Sequence, residues 1–248
     1  MVVFNVVKRS ILGIKIESIS FSEAIKKIDG FVVSKKPSYV VTVNPEFIMA
    51  AQKDREFKNI LNKADLAVPD GFGLMLAGDY LNQPFRERIT GVDLTWAICK
   101  LAEDRGYSVF FLGGKDGVAK IAAQRVKKIH PNLKIAGFYA GKPDDKNTID
   151  RVKKAKPNIL FVAFGAPKQE KFIANLINNT GNFVPALSIG VGGTFDYIAG
   201  KTPYAPSFLR QIGLEWLYRL WTQPFRLNRI ITATIRFPWA VFKAKVLK

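Results

Sequence analysis

Ile159-Leu160-Phe161-Val162-Ala163-Phe164-Gly165-Ala166-Pro167-Lys168-Gln169-Glu170 decides the fold class of this chain. Its apolar run has no polar alternation, so a strand here must be covered on both faces. Gly165 and Pro167 end the run, and a helical pattern follows to about Ile177. The same unit recurs on either side. Tyr39–Val43 runs into Asn44-Pro45 and a helix-like stretch to about Lys63. Leu66–Val68 runs into Pro69-Asp70-Gly71. Tyr107–Leu112 runs into Gly113-Gly114 and a helix to about Ile129. Leu133–Ala136 ends at Gly137, and Val184–Ile189 runs into Gly190-Val191-Gly192-Gly193. An opening strand over Ile11–Ile16 and a helix after Ser20 precede them. Alternating strands and helices predict an α/β fold, a mainly parallel Rossmann-like sheet with helices on both faces. Ligands of such sheets bind beyond the C-terminal strand ends, where these polar and glycine clusters fall.

The alternation stops near Lys201-Thr202-Pro203. That predicts a catalytic core over 1–203 and a separate appendage over 204–248. The appendage carries Arg210, Arg219, Arg226, Arg229, Arg236, Lys243, Lys245 and Lys248 against a single acid, Glu215. Trp216, Tyr218, Trp221, Phe225, Phe237, Trp239 and Phe242 are interleaved with them. Arg219 and Arg226 are seven apart, as are Arg229, Arg236 and Lys243, so on a helix each series keeps one face. A helical, basic, aromatic-rich appendage suits an anionic membrane surface.

The whole chain has 248 residues and a net charge of +18, which favours nucleic acid, anionic lipid or phosphorylated substrates. Its one cysteine, Cys99, excludes an internal disulfide and reads as a core residue of a helix. Met1–Val7 is too short for a signal peptide, and Lys8-Arg9 follow it instead of preceding it. No uninterrupted apolar stretch reaches the roughly 20 residues of a spanning helix. Ile230–Phe242 comes nearest and is broken by Arg236 and Pro238.

Several strand ends carry residues of double meaning. Asn44 and Pro45 read as the N-cap and first residue of a helix, leaving the Thr42 hydroxyl near the cleft. Asp70 is either an N-cap or a carboxylate placed as a general base. In Arg86-Glu87-Arg88-Ile89-Thr90-Gly91-Val92-Asp93, Thr90 or Asp93 can cap a helix, and an arginine can hold a phosphate by paired hydrogen bonds. Gln169 is either a sugar- or base-binding amide or an exposed first-turn residue. Gly113-Gly114-Lys115-Asp116-Gly117 could take phosphate at a helix N-terminus but is not a Walker loop. Gly190–Phe195 matches a dinucleotide fingerprint only in outline, since Phe195 stands where its third glycine would be. There is no D-x-D, so no common metal-bound nucleotide-sugar site is expected. The only histidine, His130, precedes Pro131 and reads as a helix end, which excludes a zinc cluster and leaves a Ser-His-Asp triad without a nucleophile elbow. A nucleic-acid-binding module and a nicotinamide-dependent dehydrogenase are the rival classes. The first lacks a recognisable motif, and the second lacks an early fingerprint.

TVNPEF (42–47), ADLAVPDGFG (64–73), RITGVDL (88–94), FLGGKDGVA (111–119), FVAFGAPKQE (161–170), GVGGTFDYIAGK (190–201) and APSFLRQIGLEWLYRLWTQPFRL (205–227) occur in this order. As a set they resemble the WecG/TagA/CpsF family of bacterial glycosyltransferases. The resemblance implies an inverting, metal- and cofactor-independent transfer of a sugar from a UDP-sugar donor to a polyprenyl-diphosphate-linked acceptor. The donor it implies is UDP-N-acetylmannosamine, with UDP-glucose or UDP-N-acetylmannosaminuronic acid as alternatives. The acceptor is undecaprenyl-diphosphate N-acetylglucosamine, in wall teichoic acid or another surface polysaccharide. It implies Asp70 as the catalytic base, Thr42 as a polar contact of the catalytic site, and substrate contacts at Asn44, Arg88, Gln169, Gly192 and Gly193. From the appendage it implies Arg219, Arg226 and Arg229. It further implies a peripheral protein on the cytoplasmic face of the plasma membrane, binding no nucleic acid, with a homo-oligomer as family precedent. Gly137–Pro143 is a place where donor selectivity could lie.

Overall fold

The computed structural model describes residues 7–179 and 183–247. Met1–Val6 and Lys248, read above as a short apolar start and the last base of the tail, lie outside the described residues. In chain order the elements are β1 Val7–Ile11, β2 Ile14–Ser18, α1 Phe21–Ser34, β3 Ser38–Val43, α2 Pro45–Ala51, α3 Arg55–Asn62, β4 Leu66–Pro69 and α4 Phe72–Tyr80. Then come α5 Gly91–Arg105, β5 Ser108–Gly113, α6 Val118–Ile129, β6 Lys134–Tyr139, α7 Lys146–Ala155, β7 Ile159–Ala163, α8 Lys168–Asn179, β8 Leu187–Gly190 and α9 Thr194–Ile198. The C-terminal part holds α10 Ser207–Gln211, α11 Glu215–Thr222, α12 Leu227–Ile231 and α13 Phe237–Val246.

Six strands form one parallel sheet in the order β4-β3-β8-β7-β5-β6. Their side chains alternate between two cores, as the twofold period of a strand requires. Val40, Val68, Phe111, Phe161 and Ile189 face α1, α5, α6 and α9. Tyr39, Val41, Leu112, Leu160 and Val162 face α2, α3, α4, α7, α8 and α13. Every residue of β3, β4, β7 and β8 is buried, which is why their sequences show no polar alternation.

The structure corrects four boundaries. Ile11–Ile16 is not one strand but an antiparallel hairpin, with Ile11 opposite Ile14. Leu12 and Gly13 have φ of 48° and 79°, the paired positive values of a tight two-residue hairpin turn. The helix expected to run to Lys63 stops at Ala51, because Asp54 caps a new one by accepting the Phe57 N–H at 2.9 Å. The last strand begins only at Leu187, after Pro185, which has no N–H to give a ladder. β6 runs on through Gly137 to Tyr139. A Cβ on Gly137 would lie 2.6 Å from the Phe110 ring, so only glycine lets the edge strand pass there.

The tail is a chain of short helices rather than one. Gln223-Pro224 and a 3-10 turn over Pro224–Arg226 separate Arg219 from Arg226. A π-helical turn over Thr232–Arg236 inserts a phase shift between Arg229 and Lys243. The intended faces therefore do not persist, since proline and the wide turn reset the helical period. Phe237 and Val241 are buried with Phe47, Ile48, Leu74 and Ala77, which fixes α13 on α2 and α4. No helix among the described residues is long and apolar enough to cross a membrane.

Candidate active site

The C-terminal ends of β3, β4, β7 and β8 open on one cleft, roofed by the tail. At its floor the chain leaves β4 through Asp70 and turns sharply at Gly71, whose φ of 97° suits glycine. Gly71, not Asp70, occupies the N-cap of α4. The Asp70 carboxylate is thus left for the cleft, where its Oδ2 accepts the Gly91 N–H at 3.2 Å. Its own N–H donates to Val43 O at 2.7 Å and fixes the turn to β3. Thr90 caps α5 by accepting the Asp93 N–H at 3.1 Å, so Gly91 is the first helical residue. A Cβ on Gly91 would lie 3.4 Å from Thr42 Oγ1, 3.7 Å from Thr194 Oγ1 and 3.9 Å from Asp70 Oδ2. Three side-chain oxygens from three segments therefore surround this bare helix start.

By area Asp70 is only half-buried, because one face looks into the cleft. Protein surrounds the rest of it, and that burial pushes its carboxyl up to about 6. The Gly91 N–H, Arg219 and Arg88 pull the other way, and Glu215 adds to the rise. At neutral pH the group is mostly ionised yet basic enough to take a proton, the balance a general base needs.

Asn44 caps α2, accepting the Phe47 N–H at 3.1 Å, and also lines the cleft. Arg88 lines it as well, whereas Arg86 pairs with Glu23 away from it. Gln169 is not the exposed first-turn residue of one sequence reading, for it is 1% exposed. Its Oε1 accepts the N–H groups of Gly165 at 3.1 Å and Gly192 at 3.0 Å, tying two strand-end turns together. Gly192 has φ of 51°, and a Cβ on Gly193 would lie 3.6 Å from the Arg226 guanidinium.

The tail places Arg219, Arg226 and Arg229, which the resemblance singled out, along the cleft, together with Arg210, Glu215 and Tyr204, which it did not. Arg219 pairs with Glu215 and lies over the Tyr197 ring at 5.6 Å. Burial works against its charge, but Glu215, Tyr197 and Asp70 more than offset that and hold it above the ordinary guanidinium value. Arg229 pairs with Glu46. Burial, then Arg229 and Arg219, press Arg226 below its ordinary value. Three cations crowded in this way could accept an anion, although Arg219 and Arg229 each already pair with a carboxylate. Among the described residues the cleft wall holds five arginines against the carboxylates of Asp70, Asp93 and Glu215, and no lysine, histidine or cysteine. Glu215 carried one legible signal, as the single acid of a basic tail. Tyr197 and Tyr204, with rings 5.0 Å apart, carried none.

Gly137–Pro143 does not reach this cleft. It lies on the edge strand β6 and the turn after it, at the far side of the sheet from β4 and β3. The Gly113–Gly117 turn is likewise absent from the cleft wall. Among the described residues no three His, Cys, Asp or Glu side chains cluster as metal ligands would.

The chain matches the glycosyl transferase WecG/TagA/CpsF family over residues 9–248. It is 34% identical over 214 residues to a Bacillus subtilis (strain 168) protein named N-acetylglucosaminyldiphosphoundecaprenol N-acetyl-beta-D-mannosaminyltransferase, covering 86% of this chain and 82% of that one. It is 30% identical over 244 residues to a Staphylococcus aureus (strain NCTC 8325) protein of the same name, covering 97% and 94%. A half-buried carboxylate facing an arginine cluster is compatible with transfer from a phosphate-activated sugar. The chain belongs to the WecG/TagA/CpsF family of glycosyltransferases.

Proposed function

We propose that this protein moves N-acetylmannosamine from UDP-N-acetylmannosamine to undecaprenyl-diphosphate-linked N-acetylglucosamine, in the synthesis of wall teichoic acid or a related surface polysaccharide. The transferred sugar and the acceptor follow the names of the similar Bacillus and Staphylococcus proteins, and a UDP-sugar as donor follows from the type of reaction. One observation carries the mechanism: Asp70, raised to about 6, sits at the floor of a cleft whose walls hold five arginines.

The acceptor hydroxyl attacks the anomeric carbon from the face opposite the departing diphosphate, which inverts the centre. Asp70 takes the hydroxyl proton as the new bond forms. The Thr42 hydroxyl, beside Asp70 across Gly91, orients the attacking group. The bond to the diphosphate breaks and UDP leaves with added negative charge. Arg219, Arg226, Arg229 and Arg88 neutralise that charge in place of a metal ion, because fixed cations in a partly dry cleft stabilise developing charge without reorganising. Asn44 and the Gly192-Gly193 turn hold the donor. Gln169 contributes mainly by shaping that turn, since its amide oxygen is already shared by two backbone N–H groups.

The tail over 204–248 is the membrane-association appendage of this reading, set on the cytoplasmic face where the lipid acceptor is used. Trp221 and Phe225 leave 82% and 81% of their surface uncovered, close to arginines that line the cleft. Burying such a ring in lipid gains about 2 kcal/mol, and nearby bases add attraction to anionic headgroups.

Incubation with UDP-N-acetylmannosamine, UDP-N-acetylmannosaminuronic acid and UDP-glucose, each with a short-chain polyprenyl-diphosphate N-acetylglucosamine and EDTA, tests the proposal. Acceptor-dependent UDP release from the first donor is expected. Release from another donor, or only without EDTA, would replace the sugar or the metal-independent mechanism.

A further inference from the structure

Glu170 follows Gln169, takes no part in the transfer chemistry above, and is 1% exposed on the face of α8 that packs on the sheet. Its Oε1 accepts from Gln169 Nε2 at 2.7 Å. Among the described residues its Oε2 is buried without a hydrogen-bond partner, and so is Ser188 Oγ. Leu187 and Ile189 belong to the opposite core, so Ser188 and Gly190 both point toward α8. Gly190 makes room for the pair. A Cβ there would lie 2.5 Å from Gln169 Nε2 and 2.6 Å from Glu170 Oε1.

This arrangement has a cost and a consequence. An unpaired buried oxygen is a cost that an apolar side chain of similar size would not carry. What an apolar side chain cannot do is orient the neighbouring amide. The Gln169 amide has a donor end and an acceptor end of nearly equal shape. Glu170 offers an acceptor, so the NH₂ turns toward it and the oxygen turns toward the N–H groups of Gly165 and Gly192. A flipped amide would set its NH₂ against those two donors and release both turns. Burial pushes the Glu170 carboxyl up to about 7, and its Oε1 accepts in either protonation state.

We propose that Glu170 is a positioning residue: by holding the Gln169 amide in one orientation it ties the Gly165 turn to the Gly192 turn and sets the donor side of the cleft. The proposal deepens the glycosyl-transfer reading and rests on it only for the turnover measurement.

Glu170→Met keeps the volume and removes the acceptor, whereas Glu170→Gln keeps an acceptor oxygen. Backbone amide exchange at Gly165 and Gly192, measured on the full chain, should rise about tenfold in the Met variant and stay at the wild-type rate in the Gln variant. Thermal melting of the Met variant should stay close to that of wild type, because the orphaned Gln169 NH₂ offsets relief of the unpaired Glu170 oxygen. In turnover with UDP-N-acetylmannosamine, the Met variant should lose about tenfold or more in kcat/KM and the Gln variant should restore it. Adding Glu170→Met to Gln169→Ala should cost nothing further, because both act through one amide. Unchanged exchange in the Met variant, a Gln variant as impaired as Met, or additive losses would each overturn the proposal. A wild-type protein that turns over no UDP-sugar would sink the glycosyl-transfer reading instead, leaving amide exchange to decide the role of Glu170.

Discussion

Replacing Asp70 by Asn should make the protein more stable while removing its activity, and the size of the gain follows from the site. The Asp70 carboxyl rises from 3.8 to about 6 on folding. The native state therefore holds its proton more tightly than the unfolded chain does. Between those two values stability falls as pH rises, and above about 6 the loss is complete. A rise of this size corresponds to at most about 3 kcal/mol. Water reaching the cleft face of Asp70 screens part of it, so a gain of roughly 1–3 kcal/mol is expected for Asp70→Asn at pH 8. The amide oxygen can still accept the Gly91 N–H, so the turn itself should persist. Urea unfolding of both proteins at pH 8 and pH 4.5 measures the effect. The advantage of the variant should be largest at pH 8 and shrink by more than half at pH 4.5. An equal or lower stability at pH 8, or an advantage that does not change with pH, would refute the view that Asp70 is held ionised against its surroundings.

Other consequences are as direct. Gly91→Ala should leave stability within about 1 kcal/mol, since alanine favours a helix and the nearest oxygen is at contact distance. It should still lower turnover at least about tenfold by setting a methyl among Thr42, Thr194 and Asp70; unchanged kcat/KM would show that the reacting groups do not pass there. Phe237→Ala, at a fully buried ring, should cost about 3–5 kcal/mol and loosen α13 from α2 and α4, seen as faster amide exchange in both. Trp221→Ser with Phe225→Ser should leave melting unchanged but abolish sedimentation with vesicles containing anionic lipid. Wild-type binding should weaken as salt is raised from 0.05 to about 0.5 M.

The sheet was legible in the sequence because its strands are covered on both faces. Ile159–Phe164 and Tyr39–Val43 have to be apolar throughout, and no helix pattern competes with them. The hairpin was not, since Ile11-Leu12-Gly13-Ile14 reads as one apolar run, and only the positive φ of Leu12 and Gly13 turns it back. Asp70 and Thr42 could be singled out because they stand where strands end, and Arg88 because it lies in the polar turn before α5. Their mutual arrangement could not, because it depends on Gly91, whose importance is that it has no side chain. Gln169 was legible as a polar residue near the cleft, but which way its side chain turns depends on Glu170 and Gly190. Tyr197, Tyr204 and Glu215 converge only because the tail folds back over the sheet, a contact that no local pattern encodes.

The most direct measurement is acceptor-dependent UDP release by wild type and Asp70→Asn across pH 5 to 8, with lipid acceptor and EDTA. Wild-type kcat/KM should climb with pH and level off above about 6, and the variant should fall about 10²–10⁴-fold at pH 7.5 with no such limb. A variant that keeps wild-type turnover, or the same rising limb in both proteins, would contradict the assignment of Asp70 as the base.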